Sequence, residues 1–220
     1  MMSLIEVLRL HHWIKNLLIF LPFVASQLAF SENVLQNLFL GFLSFGLLAS
    51  ATLIFNDILD IKNDKKHITK KNRPIPSGKI SIQVGFLIIA VLLTAIFFIT
   101  KKFEENNFLL YLIGYLLLSL FYSLYLKKIV LFDCFLLSIL YTIRIFAGGE
   151  LVNIIPSFWL ITFSMFLFLS LAFLKRYSEI SLIKNKQTVP GRNYYGSDKL
   201  LIKMMGINSG YISILVLVLY

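Results

Sequence analysis

Asn56, Asp57, Asp60 and Asp64 close the second long apolar run of this chain, and Lys70, Lys71 and Arg73 follow shortly after. If the helix continues past Phe55, then Asn56, Asp60 and Asp64 recur at i, i+4 and i+8. Asp57 precedes Asp60 by three and Asp64 by seven, so the spacing predicts all four on one helical face. Three carboxylates held that closely repel one another unless a cation neutralises them. An oxygen-only set of one amide and three carboxylates suits Mg²⁺, which keeps several waters and commonly takes phosphate oxygens from a substrate. Asp57, Asp60 and Asp64 are therefore candidate catalytic carboxylates, and with Asn56 they are candidate metal ligands. The alternative is a solvated helix end paired with Lys62, Lys65 and Lys66.

The cations that follow suit the same chemistry. Pro74 biases Arg73 towards an extended conformation, and Pro76, Ser77 and Gly78 read as a turn. Such a loop can fold Lys70 and Arg73 back over the acidic helix end. Arg binds phosphate bidentately and Lys acts as a mobile point charge, so cations beside a Mg²⁺ site describe a diphosphate pocket. A later run, Lys175-Arg176-Tyr177-Ser178-Glu179, is expected to complete that pocket from the opposite wall, with Lys175 and Glu179 also an ordinary helix pair. Arg192 is a weaker candidate. Lys15, read as lying at the cytoplasmic end of the first span, and Tyr122, Lys127 and Lys128, after the fourth, are further substrate-binding candidates, though lysines there also snorkel. Arg144 lies inside a span, where a structural or a pocket-lining role is open. His11, His12 and His67 lack a second ligand at metal spacing, and Cys134 has no pairing partner in the chain.

The elements that must position these residues are membrane helices. Of the 220 residues 58% are hydrophobic, and the mean hydropathy is +0.82, too apolar for an ordinary soluble domain. Seven segments approach the length of a span, roughly 14–31, 34–55, 81–100, 108–126, 132–149, 155–174 and 200–220. This predicts an all-α, polytopic transmembrane bundle forming one domain over residues 1–220. The last apolar stretch ends without a polar flank, which suggests truncation at the C-terminus. Of the 21 Lys and Arg residues, 18 fall on one side if the N-terminus is cytoplasmic. The positive-inside rule then puts both long loops, 56–80 and 175–199, in the cytoplasm of a multi-pass cell-membrane protein. The net charge of +10 sits between apolar spans, so lipid bilayer and phosphorylated substrates are expected partners and nucleic acid is not. A homo-oligomer is left open.

With these residues in hand, the chain resembles the UbiA-type membrane prenyltransferase superfamily, whose signature NDxxDxxxD is matched by Asn56, Asp57, Asp60 and Asp64. Within it the chain is most similar to the decaprenyl-phosphate phosphoribosyltransferases. That likeness rests on Arg9 to Asn16 with Pro22, Asn56 to Gly78, Arg144 to Gly148, and Lys175 to Glu179. The resemblance implies a fold of nine transmembrane helices around a lipid-open cavity, of which about seven are present. Aromatic prenyltransferases of the superfamily carry a second aspartate-rich motif on the later loop; here that loop offers Lys175, Arg176 and Glu179. The resemblance thus implies transfer of 5-phosphoribose from phosphoribosyl diphosphate to polyprenyl phosphate, with Mg²⁺ on the acidic motif. Prenyl transfer to an aromatic acceptor is the alternative within the fold. A transporter or channel is the alternative outside it, disfavoured because nearly all charge lies at one face.

Overall fold

The computed structural model describes residues 6–26, 31–65, 70–103, 107–183 and 187–219. Lys66 and His67 lie outside them, as do residues 27–30 of the expected first span. The described chain is helical almost throughout. Residues 6–8 are helical; after them and a 3-10 helix, Leu10–Phe20, come α1 (Leu21–Ser26), α2 (Glu32–Leu59), α3 (Ile61–Asp64), α4 (Ile82–Thr100), α5 (Phe108–Leu124), α6 (Phe132–Leu151), α7 (Phe158–Ile180) and α8 (Lys199–Leu219). Among the described residues five stretches are long and apolar enough to cross a membrane, namely Glu32–Leu59, Ile82–Phe103, Phe132–Leu151, Phe158–Ile180 and Gly196–Leu219. α5 is apolar but shorter. Serine caps begin three of these helices: Ser31, Ser81 and Ser157 accept the backbone N–H of Val34, Val84 and Leu160 at 3.3, 3.3 and 3.2 Å.

The helices group into two compact units. One comprises residues 1–120 and 144–155, the other residues 121–143 and 156–220. In the first unit Val7, Ala51, Ile54, Ile75, Ile80 and Leu92 form a buried apolar cluster. In the second, Cys134, Leu169, Phe173, Ile180, Tyr194 and Ile202 belong to another. α7 and α8 approach closely there because Gly206 and Gly210 face Phe173 and Ser170, and the Ser170 hydroxyl donates to the Gly206 carbonyl at 2.7 Å. Outward residues of α4 such as Phe86, Leu87, Val91 and Phe98 are exposed, as a lipid-facing surface requires.

The first expected span departs from the α-helical reading of residues 14–31. Residues 6–8 are already helical, and after the turn at Arg9 the eleven residues Leu10–Phe20 are 3-10, a long run for that geometry. Packing explains it. In a 3-10 helix residues three apart eclipse, so Trp13, Asn16 and Ile19 form one straight stripe. Trp13 lies over Gly46 and donates its indole N–H to Ser50 Oγ at 3.0 Å. Asn16 Oδ1 accepts from Arg144 Nε at 2.8 Å, and Ile19 presses its backbone against Gly148, where an added Cβ would collide with the Ile19 carbonyl. Three residues of 3-10 helix therefore pass for four of α6. At roughly 2.0 and 1.5 Å of rise per residue, both steps advance about 6 Å.

Candidate active site

The acidic motif is not one continuous helix face. α2 ends at Leu59, Asp60 takes φ −96° and ψ 10° as its C-cap, and the four-residue α3 carries Asp64. Helical hydrogen bonding still bridges the break: the Asp60 N–H donates to the Asn56 carbonyl at 3.0 Å and the Asp64 N–H to the Asp60 carbonyl at 2.8 Å. Asp57 and Asp64 are buried, whereas Asn56 and Asp60 are half-buried.

Repulsion among the carboxylates is relieved by guanidinium groups. Arg9 pairs with Asp57, and Arg73 Nη1 lies 3.0 Å from Asp57 Oδ1 and 2.8 Å from Asp64 Oδ2. The result is a chain, Arg9–Asp57–Arg73–Asp64, of two cations and two anions. Arg9 is buried and left-handed, with φ 49° and ψ 51°, a conformation that costs a non-glycine residue about 1–2 kcal/mol. Burial draws the Arg9 pKa below its ordinary value, and the Asp57 charge opposes that shift. Its ion pair with Asp57 offsets part of the cost of burial.

The loop after the motif closes as expected. Pro74, Ile75 and Pro76 are buried and Gly78 takes φ 80°. The Ser77 and Gly78 N–H groups donate to the carbonyls of Arg73 and Ile75 at 2.9 and 3.0 Å. Ile75 and Ile80 anchor the loop in the core of the first unit. Arg73 is thereby fixed with one nitrogen on two carboxylates, while its side chain keeps 28% of its surface. Lys70 is half-buried in a 3-10 turn beside it.

Among the described residues no three His, Cys, Asp or Glu side chains gather as a metal-holding group. Of the four expected ligands, Asp57 and Asp64 have arginine partners. The oxygen donors at this helix end suit a hard cation. Asn56 and Asp60 are oxygen ligands one helical turn apart and accessible, the chemistry Mg²⁺ takes when substrate phosphates supply the rest.

The second unit holds a separate ion network around Asp133. Its Oδ2 lies 2.6 Å from Arg176 Nη2 and 3.1 Å from Arg192 Nη1, and its Oδ1 accepts from the Tyr194 hydroxyl at 2.5 Å. Arg176 also pairs with Glu179, and Arg192 donates to Tyr122 Oη at 3.1 Å and to the Lys127 carbonyl at 3.4 Å. A short hairpin places Arg192 and Tyr194: Thr188 bridges Tyr195, the Val189 N–H donates to the Tyr194 carbonyl at 2.9 Å, and Gly191 takes φ 77°. Burial and the bond to Asp133 push the Tyr194 phenol well above its usual range.

This network revises several expected phosphate contacts. Arg176 has no exposed surface, because Asp133 draws it inward. The Lys127 side chain is buried and the Tyr122 hydroxyl serves Arg192. Lys175 and Lys128 are exposed and Glu179 is half-buried. Lys15 is half-buried and stands within the 3-10 helix, about 10 Å past its start at 2.0 Å per residue, not at its mouth. Arg144 joins helices, donating to Asn16 and, through Nη2, to Tyr115 Oη at 3.0 Å. Arg9, Asp133 and Tyr194 were not among the expected site residues. The only signals for them were an arginine opening the Arg9–Asn16 motif and a carboxylate at the start of an apolar helix.

The chain belongs to the UbiA prenyltransferase family, whose pattern matches residues 18–191. The fold agrees: a UbiA homolog from Archaeoglobus fulgidus bound to GPP and Mg²⁺ superposes with a TM-score of 0.79 at 16% identity, over 97% of this chain and 76% of that one. Among sequence relatives, the uncharacterized protein y4nM of Sinorhizobium fredii is 38% identical over 97% of this chain. The decaprenyl-phosphate phosphoribosyltransferase of Mycobacterium tuberculosis is 29% identical over 82% of it. The chain spans 42% and 61% of the lengths of these two relatives. It is a polytopic, all-α membrane protein of this family.

Proposed function

We propose that the protein transfers 5-phosphoribose from phosphoribosyl diphosphate to polyprenyl phosphate, releasing diphosphate. One observation carries the reading. The loop that would hold a second metal-binding acid motif has two acids, Glu179 and Asp198, and both are committed. Glu179 pairs with Arg176 and approaches Arg192 at 3.7 Å, and Asp198 accepts the Tyr195 N–H at 2.9 Å. That leaves one acidic site for one metal–diphosphate and cationic side chains for further phosphates. Likeness to the mycobacterial phosphoribosyltransferase supports the same donor.

Asn56 and Asp60 would hold the Mg²⁺, which would stabilise charge on the leaving diphosphate. Arg73, steadied by Asp57 and Asp64, presents the rest of its guanidinium edge to a phosphate. Lys70 and Lys15 belong to the same unit and add positive charge for the donor. Lys128 and Lys175 are assigned phosphate contacts as exposed cations. A phosphate oxygen of the acceptor forms the new bond to the ribose anomeric carbon as the bond to diphosphate breaks, with inversion. The nucleophile is already an anion, so no general base is needed, and positioning provides most of the acceleration. The excess of cations on one side orients the N-terminus and both loops to the cytoplasm.

Purified protein with Mg²⁺ is to be offered two donor–acceptor pairs, phosphoribosyl diphosphate with polyprenyl phosphate, and prenyl diphosphate with an aromatic acid. A lipid-linked phosphoribose is expected. Product from the second pair alone would replace this reading with prenyl transfer.

A further inference from the structure

The connection between α5 and α6 takes its shape from the hairpin of residues 188–195. It has little structure of its own: Leu126–Lys128 is a three-residue 3-10 turn, Ile129 is extended, and Leu131 is left-handed with φ 70°. The hairpin grips it at both ends. Tyr194 receives the Leu131 N–H on its hydroxyl at 2.8 Å. Arg192 puts Nη1 on Asp133 Oδ2 at 3.1 Å and on the Lys127 carbonyl at 3.4 Å, and donates from Nη2 to the Tyr122 hydroxyl at 3.1 Å. Its guanidinium carbon also stands 5.9 Å from the centre of the Tyr122 ring.

Those acceptors use the planar fork of an arginine. Asp133, itself fixed by Arg176 and Tyr194, sets one edge of the guanidinium, and Tyr122 lies at the other. A lysine has one nitrogen where the guanidinium has two, and it would keep the charged partner, Asp133, over the phenol. The Tyr122 oxygen accepts from Arg192, so its own proton remains to be donated, and Tyr122 is only half-buried. Lys128 follows directly on the carbonyl that Arg192 holds, and it is exposed. A phenol proton and an ammonium group suit the oxygens of a phosphate. We infer that Arg192 is a positioning residue for phosphate recognition, fixing Tyr122 and the Leu126–Lys128 turn in the arrangement that receives a substrate phosphate. It acts through those two features and not on the phosphate itself. The phosphate comes from the sugar donor or from the polyprenyl acceptor, and the inference rests on the transferase reading above.

Two measurements on the purified chain separate this from a purely structural role. Hydrogen–deuterium exchange over residues 122–133, with and without inorganic diphosphate, reads the turn without turnover. Diphosphate is expected to slow exchange there in wild type and to have no effect in Arg192→Lys, whose exchange is already faster. Steady-state kinetics then take phosphoribosyl diphosphate and polyprenyl phosphate in turn. Arg192→Lys should raise KM for one of them about tenfold, the worth of one charge-assisted hydrogen bond, and leave kcat within about twofold. The substrate whose KM moves is the source of the phosphate. Tyr122→Phe should raise the same KM, and the double variant should be no worse than either single one, as for two residues acting in series. Full rescue by Arg192→Lys in both measurements reduces Arg192 to an ion-pair partner of Asp133 and overturns the inference. So do additive effects in the double variant, or wild-type exchange that diphosphate leaves unchanged. If wild type makes no lipid-linked phosphoribose, the transferase reading falls, and the exchange measurement alone decides whether Arg192 governs phosphate binding at the turn. If Arg192→Lys does not fold, Tyr122→Phe decides, since an unchanged KM with unchanged protection by diphosphate overturns the inference.

Discussion

Arg176 Nη2 lies 2.6 Å from Asp133 Oδ2, and neither side chain has any exposed surface. Arg176 Nε, equally buried, has no hydrogen-bond partner among the described residues. A buried guanidinium of this kind depends on its carboxylates, and breaking such a pair from one side costs about 3–5 kcal/mol. Asp133→Ala, which also takes one partner from Arg192 and from the Tyr194 hydroxyl, should lower the unfolding temperature in detergent sharply. Lys175→Ala, an exposed neighbour, should stay within about 0.5 kcal/mol of wild type and lower kcat/KM instead. A kinetic defect with unchanged stability in Asp133→Ala would contradict the assignment.

Asp57 and Asp60 should separate in the same way. Asp57→Asn leaves buried Arg9 with an amide in place of a carboxylate, and a stability loss of about 3 kcal/mol is expected. Asp60→Asn should lose less stability but abolish metal-dependent turnover. Thermal unfolding and a lipid-product assay on the two variants check both halves.

Gly148→Ala puts a methyl group onto the Ile19 carbonyl. Backbone cannot yield as a flexible side chain does, so a loss of about 1–3 kcal/mol is expected. Gly78→Ala provides the contrast: nothing lies within 4 Å of its Cβ position, and its φ of 80° alone opposes the change, at about 1–2 kcal/mol.

The Tyr194 phenol is raised by burial and by its bond to Asp133. Below about pH 10, the ordinary tyrosine value, it is protonated both folded and unfolded, and its hydrogen bonds contribute in full. Above that pH the unfolded chain releases the proton first, so the contribution declines as pH rises. The difference in unfolding temperature between wild type and Tyr194→Phe should therefore be constant from pH 7 to 9 and shrink towards pH 11. A difference that grows with pH would refute the raised pKa.

The acidic motif and the turn after it were legible because charge is conspicuous at the end of an apolar run, and because Pro74, Pro76 and Gly78 restrict the backbone locally. The partners of those charges were not. Arg9 is 48 residues from Asp57, and Asp133 is 61 from Tyr194; neither separation leaves a periodic trace. Guanidinium groups meet part of the requirement that a cation neutralise the carboxylates. Hydropathy placed the apolar segments well, but it measures composition and not winding. It therefore could not show that residues 10–20 are 3-10 or that Lys15 lies within that helix.

The match of three residues against four along Asn16–Ile19 and Arg144–Gly148 bears on which sequence changes the chain can accept. Inserting one residue between Arg9 and Trp13 would turn the preceding chain by about 120° relative to the stripe that holds it. Arg9 would then point away from Asp57. Conservative exchanges of exposed residues such as Ile14 or Leu17 leave that phase intact. In this segment the length of the chain is under tighter constraint than the identity of most of its side chains.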